Sequence, residues 1–317
     1  MLGVRLWLIR HPLGGDLQLT KGTGSGGFQA AVDEARRYAK SAEPMLIVGE
    51  PGTGKTAMAE SIHSWSGRTG RFVRFPLSPV GEEVSIADLL GHARGAYTGA
   101  VAEQPGLLSA AAGGTLFLDE LNGASAGLQM ALLPVLDERP VRRLGDGRAE
   151  VVTARVIGAT NGDLAAEVRA GRFRADLLDR FGVIRITVPP LRDRRSDIVP
   201  LFTEFLAGCR QGRSNPVKVD PEVLALVQGH SWPGNVRELQ YVARATAWVA
   251  PESSAIRLEH LPQTFLAAVG ATAAGTVSWA ERARQAVDEM AGNKAKAARL
   301  LGVSRTRLYR ILTGAVG

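Results

Sequence analysis

The stretch MLIVGEPGTGKTAMAES, Met45 to Ser61, constrains this chain more than any other: a short apolar run enters a glycine-rich loop that opens directly into a helix. Gly49, Glu50, Pro51, Gly52, Thr53, Gly54, Lys55 and Thr56 satisfy the pattern GxxxxGK closed by Ser or Thr. In that pattern backbone N–H groups wrap phosphates at a helix N-terminus. Glycine is needed because a Cβ would block the close approach. The spacing predicts a nucleoside triphosphate site, with Lys55 reaching the β and γ phosphates and the Thr56 hydroxyl helping to hold Mg²⁺.

With 317 residues, 45% hydrophobic and 22% charged, the chain is globular in composition and long enough for two or three domains. The single cysteine, Cys209, excludes a disulfide framework and fits a reducing compartment. The apolar start LWLI is cut short by Arg10, His11 and Pro12, and no run approaches a membrane span, so a cytoplasmic protein without a membrane partner is expected. Net charge is +7, and residues 279 to 317 hold eight Lys or Arg against three Asp or Glu. A basic C-terminal module predicts a polyanionic partner, most simply nucleic acid.

Residues 1 to 27 form a short extension ending in KGTGSGG, too few for a sensor domain. Helical spacing at Phe28, Ala31, Val32, Ala35 and Ala39 predicts a helix from Phe28 to Lys40. A second strand is expected at Arg71 to Phe75, and a helix from Ser85 to about His92. In GGTLFLDE, Thr115 to Leu118 read as a fully buried parallel strand with two carboxylates at its C-terminal end, where open α/β sheets hold ligands. Asp119 is assigned to Mg²⁺, largely through water, and Glu120 to polarising the water that attacks the γ-phosphate. The strand Ala154 to Thr160 ends in Asn161, whose amide either bonds the γ-phosphate or attacking water, or serves an ordinary Asn-Gly turn. Arg174 and Arg180 occupy a helical stretch before the strand Val183 to Val188, either as surface charges or as arginine fingers across a subunit boundary. Past Leu191 the pattern is helical, with Pro221 opening one helix and SWPGNVRELQYV beginning another. There Asn235 is the expected N-cap. Arg237 falls in the first turn, where a cation opposes the helix dipole; this points to a phosphate partner or to an ion pair with Glu238 or another neighbour.

Between the glycine-rich loop and Asp119 lies GAYTGA: Gly95, Ala96, Tyr97, Thr98, Gly99 and Ala100. Its glycines give a sharp turn with Tyr97 and Thr98 at the tip. On these motifs the chain resembles the bacterial enhancer-binding activators of sigma-54 RNA polymerase, AAA+ ATPases whose sigma-contacting loop reads GAFTGA. The resemblance runs from about Phe28 to the C-terminus. It implies an α/β AAA+ P-loop ATPase subdomain at residues 28–190, a parallel sheet flanked by helices, followed by an α-helical lid at 191–264. It further implies that Asn161 is the sensor I residue, Arg174 and Arg180 the trans-acting fingers, and Arg237 the sensor II arginine. Tyr97 and Thr98 become the contact to sigma-54, and the active form a ring, usually a hexamer, with ATP sites between subunits. Pro76 in FVRFPLSPV stands where the family, in a context such as FVAVNCAAL, carries an Asn that gates the catalytic glutamate, so altered gating of Glu120 is expected. Tyr97 replaces the usual Phe, and Thr56 the Glu of many members. A receiver or ligand-sensing domain is expected to be missing, leaving control to a separate regulatory protein, to expression level, or absent.

FLAAVGATAAGTVS, residues 265–278, reads as a linker. The last module, residues 279–317, predicts helices at Trp279 to Met290 and Lys294 to Leu301, a turn at Gly302, and a third helix capped by Ser304. That helix carries Arg305, Thr306, Arg307, Tyr309 and Arg310 outward, and Leu308 and Ile311 inward. This all-α helix-turn-helix suits the major groove and resembles the Fis-type domain that ends many sigma-54 activators. Arg305 and Arg307 are candidates for base or phosphate contact, and Lys294 and Lys296 for phosphate. The family implies dimers on palindromic double-stranded DNA upstream of promoters. The expectation is an ATP-driven activator. Two alternatives stand beside it: a DNA-binding regulator of the same family with weak ATPase that acts without sigma-54, favoured by Pro76, and a general AAA+ remodeller of nucleic-acid complexes, for which GAYTGA is unexpected.

Overall fold

A computed structural model describes residues 26–77, 82–96, 102–137, 140–145, 149–209, 217–250, 255–269, 287, 290 and 293–300. The chain divides into two compact units, Met1–Ile198 with Ser231–Glu238, and Val199–His230 with Leu239–Gly317.

The first unit is built on five parallel strands: β1 Met45–Val48, β2 Phe72–Pro76, β3 Thr115–Asp119, β4 Arg155–Thr160 and β5 Arg185–Thr187. Their order across the sheet is β2-β3-β4-β1-β5. Period-2 alternation sorts their side chains into two cores, one per face. Leu46, Leu116, Leu118 and Val156 join one cluster, whereas Met45, Ile47, Phe117, Ile157 and Ala159 join the other. The second face is covered by helices α1 Gly26–Arg37, through Phe28, Ala31, Val32 and Ala35, and α2 Lys55–Ser66, through Met58, Ala59 and Ile62. The first is covered by α3 Glu82–Leu90, by α4 Ala126–Leu136 through Leu128, Leu132 and Val135, and by α6 Ala175–Phe181 through Leu177 and Phe181, with α5 Leu164–Arg169 between them in the chain. Covered on both faces, β3 and β4 are buried along their whole length, with apolar stretches Leu116 to Leu118 and Val156 to Ala159 between polar ends. Because every strand is parallel, the loops after β1, β3 and β4 emerge at the same edge of the sheet.

The expected helix to His92 stops at Leu90. Gly91 takes φ 80°, and Gly91–His92 pairs antiparallel with Gln104–Pro105. A Cβ on Gly91 would lie 2.5 Å from the backbone nitrogen of Gly106, so the strands can close only on glycine. This short stem carries the chain into and out of GAYTGA. A second small hairpin, Val141–Arg142 with Ala149–Glu150, is tied to the stem where Leu144 N–H donates to Gly91 O and Ala93 N–H to Leu144 O.

The second unit is helical: Ile198–Cys209, Pro221–Gly229, Asn235–Val249 and Gln263–Ala268, the first and third of these beginning with residues of the first unit. Pro221 opens its helix at the first position, where its missing N–H costs nothing. A backbone bridge joins Val219 to Ile256. The expected linker from Phe265 begins inside a helix: Phe265 and Leu266 are buried, and the Phe265 ring meets His230 edge-on at 5.3 Å. Lys294–Leu300 is a further helix, with Ala297 and Ala298 buried and Asn293 Oδ1 accepting from Lys296 N–H. Of the expected helix Trp279–Met290 only residues 287, which is helical, and 290 are described, and the third helix from Ser304 lies outside the described residues.

Candidate nucleotide site

The loop after β1 is shaped by glycine where the chain demands it. Gly52 and Gly54 take φ 77° and 103°, and a Cβ on Gly52 would stand 2.3 Å from Gly234 O. Thr53 is buried, its hydroxyl donating to Glu50 O at 2.9 Å. Lys55 opens α2 and spans the loop, its Nζ donating to Gly49 O at 2.7 Å and Glu50 O at 3.1 Å. Burial pushes the Lys55 ammonium below its ordinary range; Asp119 and Glu120 oppose that shift and Arg237 adds to it. Arg237 therefore belongs to the same electrostatic site as Lys55. Its Cβ is 3.1 Å from where a Cβ on Gly52 would lie.

Asp119 ends β3, with Thr56 Oγ1 at 3.5 Å from its Oδ2. Two hard oxygen donors at a helix N-terminus beside a lysine are the donor set that Mg²⁺ with a polyphosphate takes, so these residues fit the ion. At Glu120 the chain turns left-handed, φ 62°, which leaves this carboxylate exposed one residue beyond the sheet. A non-glycine residue in that region is strained by the order of 1 kcal/mol or more, and such strain gathers at sites of function. Asn161 is exposed and follows Thr160, which pairs in register with Val48; Gly49 N–H donates to Thr160 O. Sheet register thus brings the glycine-rich loop, Asp119, Glu120 and Asn161 to one edge.

Four further residues shape this edge, and three of them, Arg74, Arg192 and Arg194, carry no motif of their own. Arg74 on β2 reaches Asp119, Nη2 to Oδ2 2.6 Å. Arg192 grips Glu50 through both carboxylate oxygens, at 2.6 and 2.8 Å, and Asn235 Nδ2 donates to the same carboxylate at 3.1 Å. These bonds hold the Glu50 carboxyl down at about 2. Arg194, 3% exposed, donates to Thr53 O at 2.8 Å and lies over the Phe28 ring at 4.4 Å. The signal that would have found Arg192 and Arg194 is weak: two arginines closely spaced after PPL, with nothing to separate them from surface charge.

One expectation is corrected. Asn235 does not cap its helix with its side chain. Its φ is 54°, its Oδ1 accepts from Leu191 N–H at 2.7 Å, and its amide also donates to Pro51 O, so the group is spent on tying the glycine-rich loop to the Trp-Pro-Gly turn. Glu238 reaches back instead, accepting from Gly234 N–H. Arg174 and Arg180 are both paired within the chain. Arg174 pairs with Asp176, and Arg180 with both oxygens of Asp137 and with Asp176 O. Each must leave an intrachain partner to serve a neighbouring subunit. Of GAYTGA, only Gly95 and Ala96 are described, on the stem side, with Gly95 at φ 79°; Tyr97, Thr98, Gly99 and Ala100 lie outside the described residues. So do Ser304, Arg305, Thr306, Arg307, Tyr309 and Arg310, while Lys294 and Lys296 lie on the helix Lys294–Leu300.

Pro76 closes β2 opposite Asp119 in the ladder. Leu77 N–H donates to Asp119 O, so the alternate residue Pro76 turns its nitrogen to the open edge of the sheet, where proline is tolerated.

Comparison with known proteins agrees with this geometry. Residues 23–187 match the family described as Sigma-54 interaction domain, residues 192–276 the AAA+ ATPase lid domain, and residues 284–312 the Fis family of bacterial regulatory proteins. The chain is 39% identical over 301 residues to the Nif-specific regulatory protein of Azotobacter vinelandii, covering 89% of this chain and 56% of that protein. It is 41% identical over 216 residues to the Sigma54-dependent transcriptional activator SfnR of Pseudomonas putida, covering 68% and 59%. It thus spans little more than half the length of these relatives. Among solved structures, NtrX from Brucella abortus in complex with ATP superposes with a TM-score of 0.68 at 27% identity, over 93% of this chain and 69% of that one. A glycine-rich loop, strand-end acids and lid sequence in this order, with these matches, mean that the chain belongs to the family of sigma-54-dependent transcriptional activators, with an AAA+ ATPase domain, its lid and a Fis-type helix-turn-helix.

Proposed function

We propose that this protein hydrolyses ATP in a ring of its own copies to remodel sigma-54 RNA polymerase from closed to open promoter complexes, bound through its C-terminal module to double-stranded DNA upstream. The observation that carries the reading is the pairing of a phosphate loop and strand-end acids with GAYTGA on a closed two-stranded stem of the same unit. The working division is the ATPase at residues 28–190, the lid from 191 through the helix Gln263–Ala268, and DNA binding at 279–317.

In this reading the backbone of Gly49 to Thr56 binds the phosphates, and Lys55 leaves its loop carbonyls for the β and γ oxygens. Thr56 and Asp119 would hold Mg²⁺, which when bound neutralises charge on the β and γ phosphates. Glu120 accepts the proton of the attacking water, and Asn161 orients that water or the γ-phosphate. Arg237 contributes positive charge beside the phosphates, and Arg174 and Arg180 of a neighbouring subunit stabilise the transition state. ATP and ADP must favour different poses of the Tyr97 and Thr98 loop, because only a difference in affinity between two states does work on a partner. Lys294, Lys296, Arg305 and Arg307 contact DNA, with Ser304, Thr306, Tyr309 and Arg310 on the same recognition segment.

Pro76 beside Asp119 favours a second reading, a regulator of the same family with weak ATPase that works without sigma-54. The test is co-elution of the purified protein with sigma-54 in ADP plus a metal-fluoride mimic of the γ-phosphate, which stands in for the transferring phosphoryl group. A complex formed only with the mimic supports the activator. Absence of a complex, from protein that still binds ATP and DNA, overturns it in favour of the second reading.

A further inference from the structure

We propose that Arg74 is a positioning residue of the metal site, and that its grip on Asp119 sets the concentration of Mg²⁺ the nucleotide pocket needs. This rests on the ATP reading given above. Alternation along β2 puts Arg74 on the same face as Pro76, and Pro76 lies opposite Asp119 in the ladder. From there the Arg74 guanidinium meets Oδ2 of Asp119 at 2.6 Å. That is the oxygen which faces Thr56 Oγ1 at 3.5 Å. The two groups suited to hold the ion therefore converge on an atom that already accepts a charge-assisted hydrogen bond. The Asp119 side chain is 11% exposed and that of Arg74 43%, so the carboxylate is fixed within the sheet edge while the arginine approaches from its solvent side.

Two consequences follow from the charge and the geometry. The guanidinium takes one lone-pair direction of Oδ2, leaving fewer for the ion or for a water of its shell. It also places a positive charge close to where a dication must sit, and repulsion of that kind is weakened but not abolished in a partly exposed site. Arg74 thus competes for the Asp119 oxygen that faces Thr56 and lowers the affinity of that pair for Mg²⁺.

The experiment is a Mg²⁺ titration of methylanthraniloyl-ATP binding by the purified full chain, followed by fluorescence, for the unmodified protein, Arg74→Gln and Arg74→Lys. Thermal unfolding of each variant shows that it is folded. Arg74→Gln is expected to lower the half-saturating Mg²⁺ concentration roughly three- to tenfold, the scale of one nearby charge in a partly exposed site. Arg74→Lys, which keeps the charge, is expected to restore the unmodified requirement. An unchanged or raised requirement in Arg74→Gln overturns the inference, as does an Arg74→Lys variant that behaves like Arg74→Gln. If the unmodified chain binds the analogue with a Mg²⁺ requirement that Arg74→Gln leaves in place, only the role of Arg74 fails. If it binds no analogue at any Mg²⁺ concentration, the ATP reading fails with it.

Discussion

Glu50 is a loop residue that the phosphate pattern leaves free to vary, yet it is the most heavily bonded side chain of the loop. Arg192 supplies two charge-assisted hydrogen bonds and Asn235 a third, and together they pull the carboxyl from 4.5 to about 2. A carboxyl depressed on folding contributes stability that is present above its unfolded value and lost as pH falls toward the folded one. Glu50→Gln is therefore expected to unfold at lower temperature than the unmodified protein near neutral pH. The difference should narrow as pH falls through 4.5 and vanish near 2, the window set by the two values. The pair is partly exposed, so the effect is modest and shrinks in salt. Thermal melts across that range check it, and a difference that does not change with pH would count against the network. The identity of Glu50 was plain in the sequence, but its partners were not.

The junction of α1 with the sheet is held by one side chain at the start of β4. Arg155 is 1% exposed and donates through Nη1 to Ala39 O, Nη2 to Tyr38 O and Nε to Glu43 O, the carbonyls just past the helix end. Burial lowers its pKa to about 10, so it remains charged at neutral pH. A cation at a helix C-terminus satisfies both the dipole and the orphan carbonyls. Arg155→Ala removes three bonds to a charged donor and leaves buried acceptors behind, a loss expected to cost about 2–4 kcal/mol. Urea unfolding measures it, and a loss below about 0.5 kcal/mol, the usual scale of a surface substitution, would refute the capping role. Elements themselves were legible where a face is apolar on one period. The helix expected over Phe28 to Lys40 is found at Gly26–Arg37, two and three residues off at its ends, and the strands at Thr115 and Arg155 lie within one residue of their expected bounds. The stem Gly91–His92 with Gln104–Pro105 was not, because two-residue strands carry no periodicity and are made by a glycine and a distant partner.

At the scale of the molecule, the proposed coupling of hydrolysis to sigma-54 is tested at the loop tip. Thr98→Ala is expected to abolish open-complex formation while leaving ATP hydrolysis and DNA binding within about twofold, since the residue is assigned to the partner contact and not to the phosphates. In vitro transcription from a sigma-54 promoter beside an ATPase assay measures both; unchanged transcription removes the activator reading. The phosphate loop, the strand-end acids and GAYTGA could be read from the chain because each is a contiguous run whose chemistry depends on neighbours in sequence. The same holds for the parallel sheet, whose central strands carry the contiguous apolar stretches Leu116 to Leu118 and Val156 to Ala159. Which charges meet at the site could not be read that way. Arg74 and Asp119 are 45 residues apart, Arg192 and Glu50 142, and Asn235 and Glu50 185. An arginine in a list of residues looks the same whether it faces water or a carboxylate. Its partner is decided only where the fold brings separate segments to one edge, and there a buried or half-buried charge must find one.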